Sequence, residues 1–197
     1  MAVVSIKNKL RRGNLLVGND PYIPTDFESI ATVTVGSGGS SSISFTSIPS
    51  TYTHLQLRFI ARGTSTLARA AIRLNSDSNA NYSLHYLYGD GSSAGAGGTG
   101  AQGQIDVTTI PTSSQTSNTF GSAVVDILDY ANTNKNKTIR SLGGDDLNGS
   151  GGYSILYSGA WYNTNAVNTL TVVPGTVGSG DFAQYSHFAL YGIKVAS

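Results

Sequence analysis

Apolar residues in this chain recur at every second position over short stretches, and clusters of Gly, Ser, Asn and Pro separate one stretch from the next. The alternation is clearest over 54–62. There Leu55, Leu57, Phe59 and Ala61 fall on one side, and His54, Gln56, Arg58, Ile60 and Arg62 on the other. Near the C-terminus Phe188 and Leu190 oppose Ala189 and Tyr191. A period of two, carried by β-branched and aromatic residues, predicts strands near 27–35, 41–48, 53–62, 69–75, 82–88, 104–110, 119–130, 137–142, 152–161, 167–173 and 182–194. Helical periodicity is almost absent. Residues 126–132 could form one turn, but the run of Asn and Lys from Asn132 to Lys137 reads as a hairpin tip. Many short strands between turn signals predict an all-β fold, an antiparallel β-sandwich of jelly-roll-like form. The rhythm has no fixed sequence period, so neither a propeller nor a β-helix is expected. Two stretches read as long polar loops at the ends of the sandwich: 89–103, with seven glycines, and the Gly- and Asp-rich 143–152.

Residues 1–26 fall outside this rhythm. Val3, Val4 and Ile6 lead into Lys7, Lys9, Arg11 and Arg12, and no acid precedes Asp20. Leu15, Leu16 and Val17 follow, and Pro21 and Pro24 then hold Tyr22 and Ile23 in an extended course. Such a segment has too few apolar residues for a core of its own. The expected organisation is an extended N-terminal arm, 1–26, ahead of a single β-sandwich domain, 27–197. The arm has three readings: a phosphate binder, a disordered solubilising tail, or a segment that docks on an acidic protein surface. Cations interleaved with apolar anchors favour docking, with Ile6, Lys7, Lys9, Arg11, Arg12, Leu15, Leu16, Val17, Tyr22 and Ile23 as the contact residues.

Composition sharpens this division. The 197 residues hold 12 bases and 11 acids, a net charge of +1. Without the arm's four bases, residues 13–197 carry eight bases against eleven acids, or −3, so the body is not expected to attract nucleic acid. Charged residues make up 12%, about half of the usual ~25%, so hydroxyls and amides must supply much of the surface polarity. The chain has no Cys, which removes disulfides, thiolate metal sites and cysteine nucleophiles. The apolar run 15–17 is too short for a signal-peptide core, and nothing approaches the ~20 apolar residues of a transmembrane helix. Synthesis in a cytoplasm, with no membrane partner, is therefore expected. The sequons at Asn81, Asn136 and Asn148 then read as accidents of an Asn-, Ser- and Thr-rich sequence.

No motif for catalysis stands out. The run 95–100, Gly-Ala-Gly-Gly-Thr-Gly, matches the dinucleotide fingerprint in spelling, but the pyrophosphate needs a helix opening after it, and β-like residues follow instead. His54, His85 and His187 lie in expected strands without a neighbouring nucleophile or metal-type spacing. Asp126 and Asp129 have opposite strand parity, and Asp145, Asp146 and Asn148 lack the spacing of a known calcium loop. Asp77 reads as turn chemistry. No catalytic residue, metal or cofactor is expected, and a glycoside hydrolase would need a pair of suitably spaced carboxylates. Tyr82, Tyr86 and Tyr88 share one strand face, as do Tyr153 and Tyr157 on another strand. They read first as core and interface aromatics, with stacking on sugar rings as the alternative.

Several stretches resemble structural proteins of tailed bacteriophages, notably those of cyanophages and marine phages. The opening 4–9 and 13–19 looks like the start of such proteins. Residues 27–31, 48–56, 126–132 and 182–192 are similar to their β-rich virion domains. The resemblance implies a non-enzymatic virion protein made in the host cytoplasm. It would be a head decoration or cement protein or a tail-fibre component, docked on capsid or tail proteins through its arm. On this reading the sandwich is expected to assemble as a homotrimer; the alternative is a glycan-binding receptor module whose tyrosine faces and 89–103 loop contact host surface polysaccharide.

Overall fold

The computed structural model describes residues 26–65, 69–149, 151–175 and 180–195. Every named element among them is a strand: β1 Phe27–Thr34, β2 Ile43–Phe45, β3 His54–Ala61, β4 Arg69–Leu74, β5 Tyr82–Gly89, β6 Ala94–Gln102, β7 Ile105–Thr109, β8 Gly121–Leu128, β9 Lys137–Asp146, β10 Gly152–Trp161, β11 Leu170–Pro174 and β12 His187–Ile193. They form two antiparallel sheets, one of eight strands in the order β1-β12-β3-β8-β9-β10-β5-β6 and one of four in the order β2-β11-β4-β7. The chain is therefore an all-β, two-layer sandwich.

The alternating positions do what their pattern requires. Leu55, Leu57, Phe59 and Ala61 are buried on the inner face of β3, and their neighbours Ala123, Val125 and Ile127 continue that face across β8. From the small sheet Ile72, Leu74, Ile105, Val107, Leu170 and Val172 close the core. Among the described residues, every buried side-chain nitrogen or oxygen has a hydrogen-bond partner. Trp161 donates its indole N–H to Asp77 at 2.7 Å, and Tyr82 accepts from the Leu74 amide at 2.9 Å. The fully buried Lys137 at the start of β9 gives its ammonium to the carbonyls of Asn132, Lys135 and Thr164. It thereby ties the β8–β9 hairpin tip to the loop after β10. Burial pulls its pKa down, partly opposed by the Asp129 charge.

Where the chain enters β1 the structure is tied down by several groups at once. The backbone N–H of Lys194 donates to the Asp26 carbonyl at 2.8 Å, and the Lys194 ammonium reaches Glu28 at 3.0 Å. Glu28 also accepts from the Tyr52 hydroxyl at 3.0 Å, and Phe27 stacks on Tyr191 at 4.7 Å.

Two expectations fail. Residues 89–103 are not a projecting loop: 94–102 form β6, the edge strand of the large sheet, in register against β5. Likewise 143–146 continue β9, so the loop between β9 and β10 is shorter than the glycines suggest. At 143–144 the backbones of the flanking strands and Thr108 of β7 come so close that only glycine fits, whereas in β6 the cause lies in the partner strand. A strand needs backbone pairing before it needs side chains, and a partner with large rings can supply the contacts that glycine lacks.

Candidate ligand cleft at the tyrosine edge

The two sheets differ in width, and that difference creates the site. The edge strand β7 of the small sheet crosses β8, β9 and β10 and barely reaches β5. The inner face of the large sheet beyond it is left without a second layer. On this overhang parity collects Tyr86 and Tyr88 from β5 with Tyr153 and Tyr157 from β10. Ring centroids lie 5.6 Å apart for Tyr86 and Tyr157, 5.9 Å for Tyr88 and Tyr153, and 6.2 Å for Tyr86 and Tyr88. They border a cleft of about 340 Å³ whose remaining walls are Arg69, Asp90, Thr109 and Ile155.

The glycines of β6 hold two of these rings. Gly95 lies opposite Tyr88 and Gly97 opposite Tyr86. A Cβ at Gly95 would come within 2.7 Å of the Tyr88 ring, and one at Gly97 within 2.5 Å of the Tyr86 hydroxyl oxygen. The rings therefore lie over bare backbone. Their preserved partners are neighbouring rings and the cleft itself.

The polar groups at the rim are already engaged. Arg69 donates to Asp106 at 2.8 Å. Asp90 accepts from the amides and hydroxyls of both Ser92 and Ser93, which hold its carboxyl well below the usual range. The Thr109 hydroxyl donates to Asp145 at 2.8 Å, while burial pushes that carboxyl up. Burial, reinforced by the Asp106 charge, pushes the Tyr157 phenol up to about 12, so it remains a neutral hydroxyl at ordinary pH. A ring-walled hollow with phenolic hydroxyls and a fixed guanidinium offers stacking and hydrogen bonding to a polyhydroxylated ligand.

The structure also locates the other residues singled out from sequence. The fingerprint-like run 95–100 lies within β6 and opens no helix. His54 accepts from the Asp129 amide at 2.9 Å and lies 3.6 Å from its carboxylate, while His187 meets the Thr34 hydroxyl at 2.8 Å. Asp126 accepts from Gln56 at 2.8 Å, and Asp129 is paired with Lys135. Asp146 caps its own turn through the Asn148 amide. Among the described residues no group of three or more metal-ligating side chains converges. Asp77 shapes its turn as expected and also anchors Trp161. Ile6, Lys7, Lys9, Arg11, Arg12, Leu15, Leu16, Val17, Tyr22 and Ile23, the expected docking residues, lie outside the described residues.

Sequence reasoning found the tyrosines but missed Arg69, Asp90, Gly95 and Gly97 as parts of one site. The available signal was the spacing of Gly95 and Gly97, a period of two that matches Tyr86 and Tyr88 across a short turn. In comparisons with known proteins, no protein-family model, curated protein or solved structure matches the chain.

Proposed function

We propose that this chain is a non-enzymatic structural protein of a bacteriophage particle, a head decoration or cement protein or a tail-fibre component. Its arm, 1–26, docks on capsid or tail proteins, and its jelly-roll-like sandwich projects outward and assembles with copies of itself as a homotrimer. The observation that carries the reading is where the phage-like stretches fall in the fold. Residues 27–31 belong to β1, 48–56 lead into β3, 126–132 close β8, and 182–192 lead into β12. Far apart in sequence, they meet in one contiguous block, β1-β12-β3-β8, which is half of the large sheet. A resemblance spread over unrelated surface loops would lack such coherence. Deleting residues 2–20 is expected to abolish incorporation into particles while leaving the sandwich folded. Purified particles with undiminished copies of the shortened chain would sink the docking role.

A second reading, a glycan-binding module that recognises host surface polysaccharide, is favoured by the tyrosine cleft. Stacking on Tyr86 and Tyr88 would supply binding energy, with hydrogen bonds from the neighbouring hydroxyls fixing orientation. Replacing Tyr86→Ala is expected to weaken saccharide binding about tenfold, equivalent to roughly 1.4 kcal/mol. Failure of the assembled wild-type protein to bind any member of a broad glycan array would remove this reading.

A further inference from the structure

The outer face of the large sheet, the side turned away from the core, carries an apolar ridge that no described residue covers. Register places Arg58, Val124, Leu142, Leu156, Leu87 and Ala96 side by side on β3, β8, β9, β10, β5 and β6. The four central side chains are 37%, 64%, 43% and 58% exposed in that order. Beside them Ile60 is 47% exposed, and a groove of about 910 Å³ runs over Ile60, Val124 and Leu142. Isolated apolar side chains are common on protein surfaces; a contiguous row across four adjacent strands is not.

The geometry points to this face as the surface on which a second copy of the chain packs. The inference deepens the self-assembly part of the reading above and rests on it. Three observations select this occupant. Eight strands about 4.8 Å apart and, on average, between eight and nine residues long give a face of about 1,100 Å², enough for the ~800 Å² that each partner contributes to a standard interface. Charge is sparse and balanced: Arg58 and Arg140 are offset by Asp126 and Asp146, so the face does not repel its own copy. Its make-up, with Leu, Val, Ile, Arg, Phe27 and Tyr191 and no Lys or Glu in the apolar row or in the flanking row from Tyr191 through Gln56, Asp126 and Arg140, is that of an interface centre. The same balance disfavours the chain's own segment 1–12 as the cover. That segment brings four cations and no acid to a face that has no net negative charge to receive them.

The absence of cysteine makes the test direct. Leu142→Cys in the full-length chain is treated with a short bis-maleimide, and Ser92→Cys, on the exposed turn between β5 and β6, serves as control. Light scattering gives the mass of the wild type, Leu142→Asp and Leu156→Asp, and thermal unfolding checks that the variants fold. We expect an oligomeric wild type, monomeric Asp variants, and links between chains at position 142 but not at 92. Should Leu142→Asp fail to fold, the milder Leu142→Ser and the cross-link still decide the matter. An oligomer that persists in the folded Asp variants, with no link at 142, overturns the assignment of this face but leaves self-assembly standing. A wild type that is monomeric at every concentration overturns both. A monomeric Leu142→Cys variant whose new thiol is shielded from maleimide overturns the proposal in favour of another segment of the same chain.

Discussion

Asp77 shows how much one turn residue can carry. Burial acts to raise its pKa, but hydrogen bonds from Asn81, Trp161 and Asn79 outweigh that effect and hold it at about 2, below the ordinary 3.8. A depressed carboxylate pKa adds stability that is fully present above the unfolded value and is lost as pH falls through the folded one. The Asp77 contribution should therefore be complete above about pH 4 and fade toward pH 2. Asp77→Asn should lower the melting temperature at pH 6, and its deficit relative to wild type should shrink between pH 4 and pH 2. Comparing the two melting curves removes the background from Asp129, which is also depressed, and Asp145, which is raised. A deficit that stays constant across that range would show that the carboxylate charge contributes nothing. The sequence Asn-Ser-Asp-Ser-Asn announces a turn; nothing in it announces that the turn receives the only tryptophan, eighty-four residues later.

At the scale of elements, strands with alternating apolar residues are legible, and the glycine-rich β6 and the Gly-Gly-Asp-Asp extension of β9 are not. The pattern of β3 states its own buried face, because each inward side chain must leave water and each outward one need not. β6 has no such pattern: its inner positions are Gly95 and Gly97, and the apolar surface that covers them belongs to Tyr88 and Tyr86. The information that makes it a strand is therefore written in β5. The cleft was only half legible for the same reason, since its rings follow from parity within one strand but their convergence depends on the pairing of β10 with β5. Gly97→Val should drive the Tyr86 ring from its bed, costing about 1–3 kcal/mol of stability and weakening any saccharide binding together with it. Denaturant unfolding and a binding assay on the same variant check both parts; a fully stable Gly97→Val would mean the ring has room the geometry denies.

Across the whole molecule, the proposed attachment segment and the proposed recognition cleft are separated. The arm enters at β1 and the cleft lies by β5 and β6, at opposite edges of the large sheet. Between five and six interstrand spacings of about 4.8 Å separate β1 from the rings on β10 and β5, about 26 Å along the sheet. Deletion of residues 2–20 should accordingly leave saccharide binding by the free protein unchanged, and Tyr86→Ala should leave particle incorporation unchanged. Loss of both functions in either variant would show that the two edges are not independent. This separation also sets the direction of mechanical load. Tension between a held ligand and an anchored arm runs across the strands and would peel β1 from β12 one pair at a time, beginning at Phe27 and Ile193. That front is where Lys194, Glu28, Tyr52 and the Phe27–Tyr191 stack converge. On the proposed anchoring, this knot of contacts is the first barrier that a pull on the arm crosses before the sheet unzips.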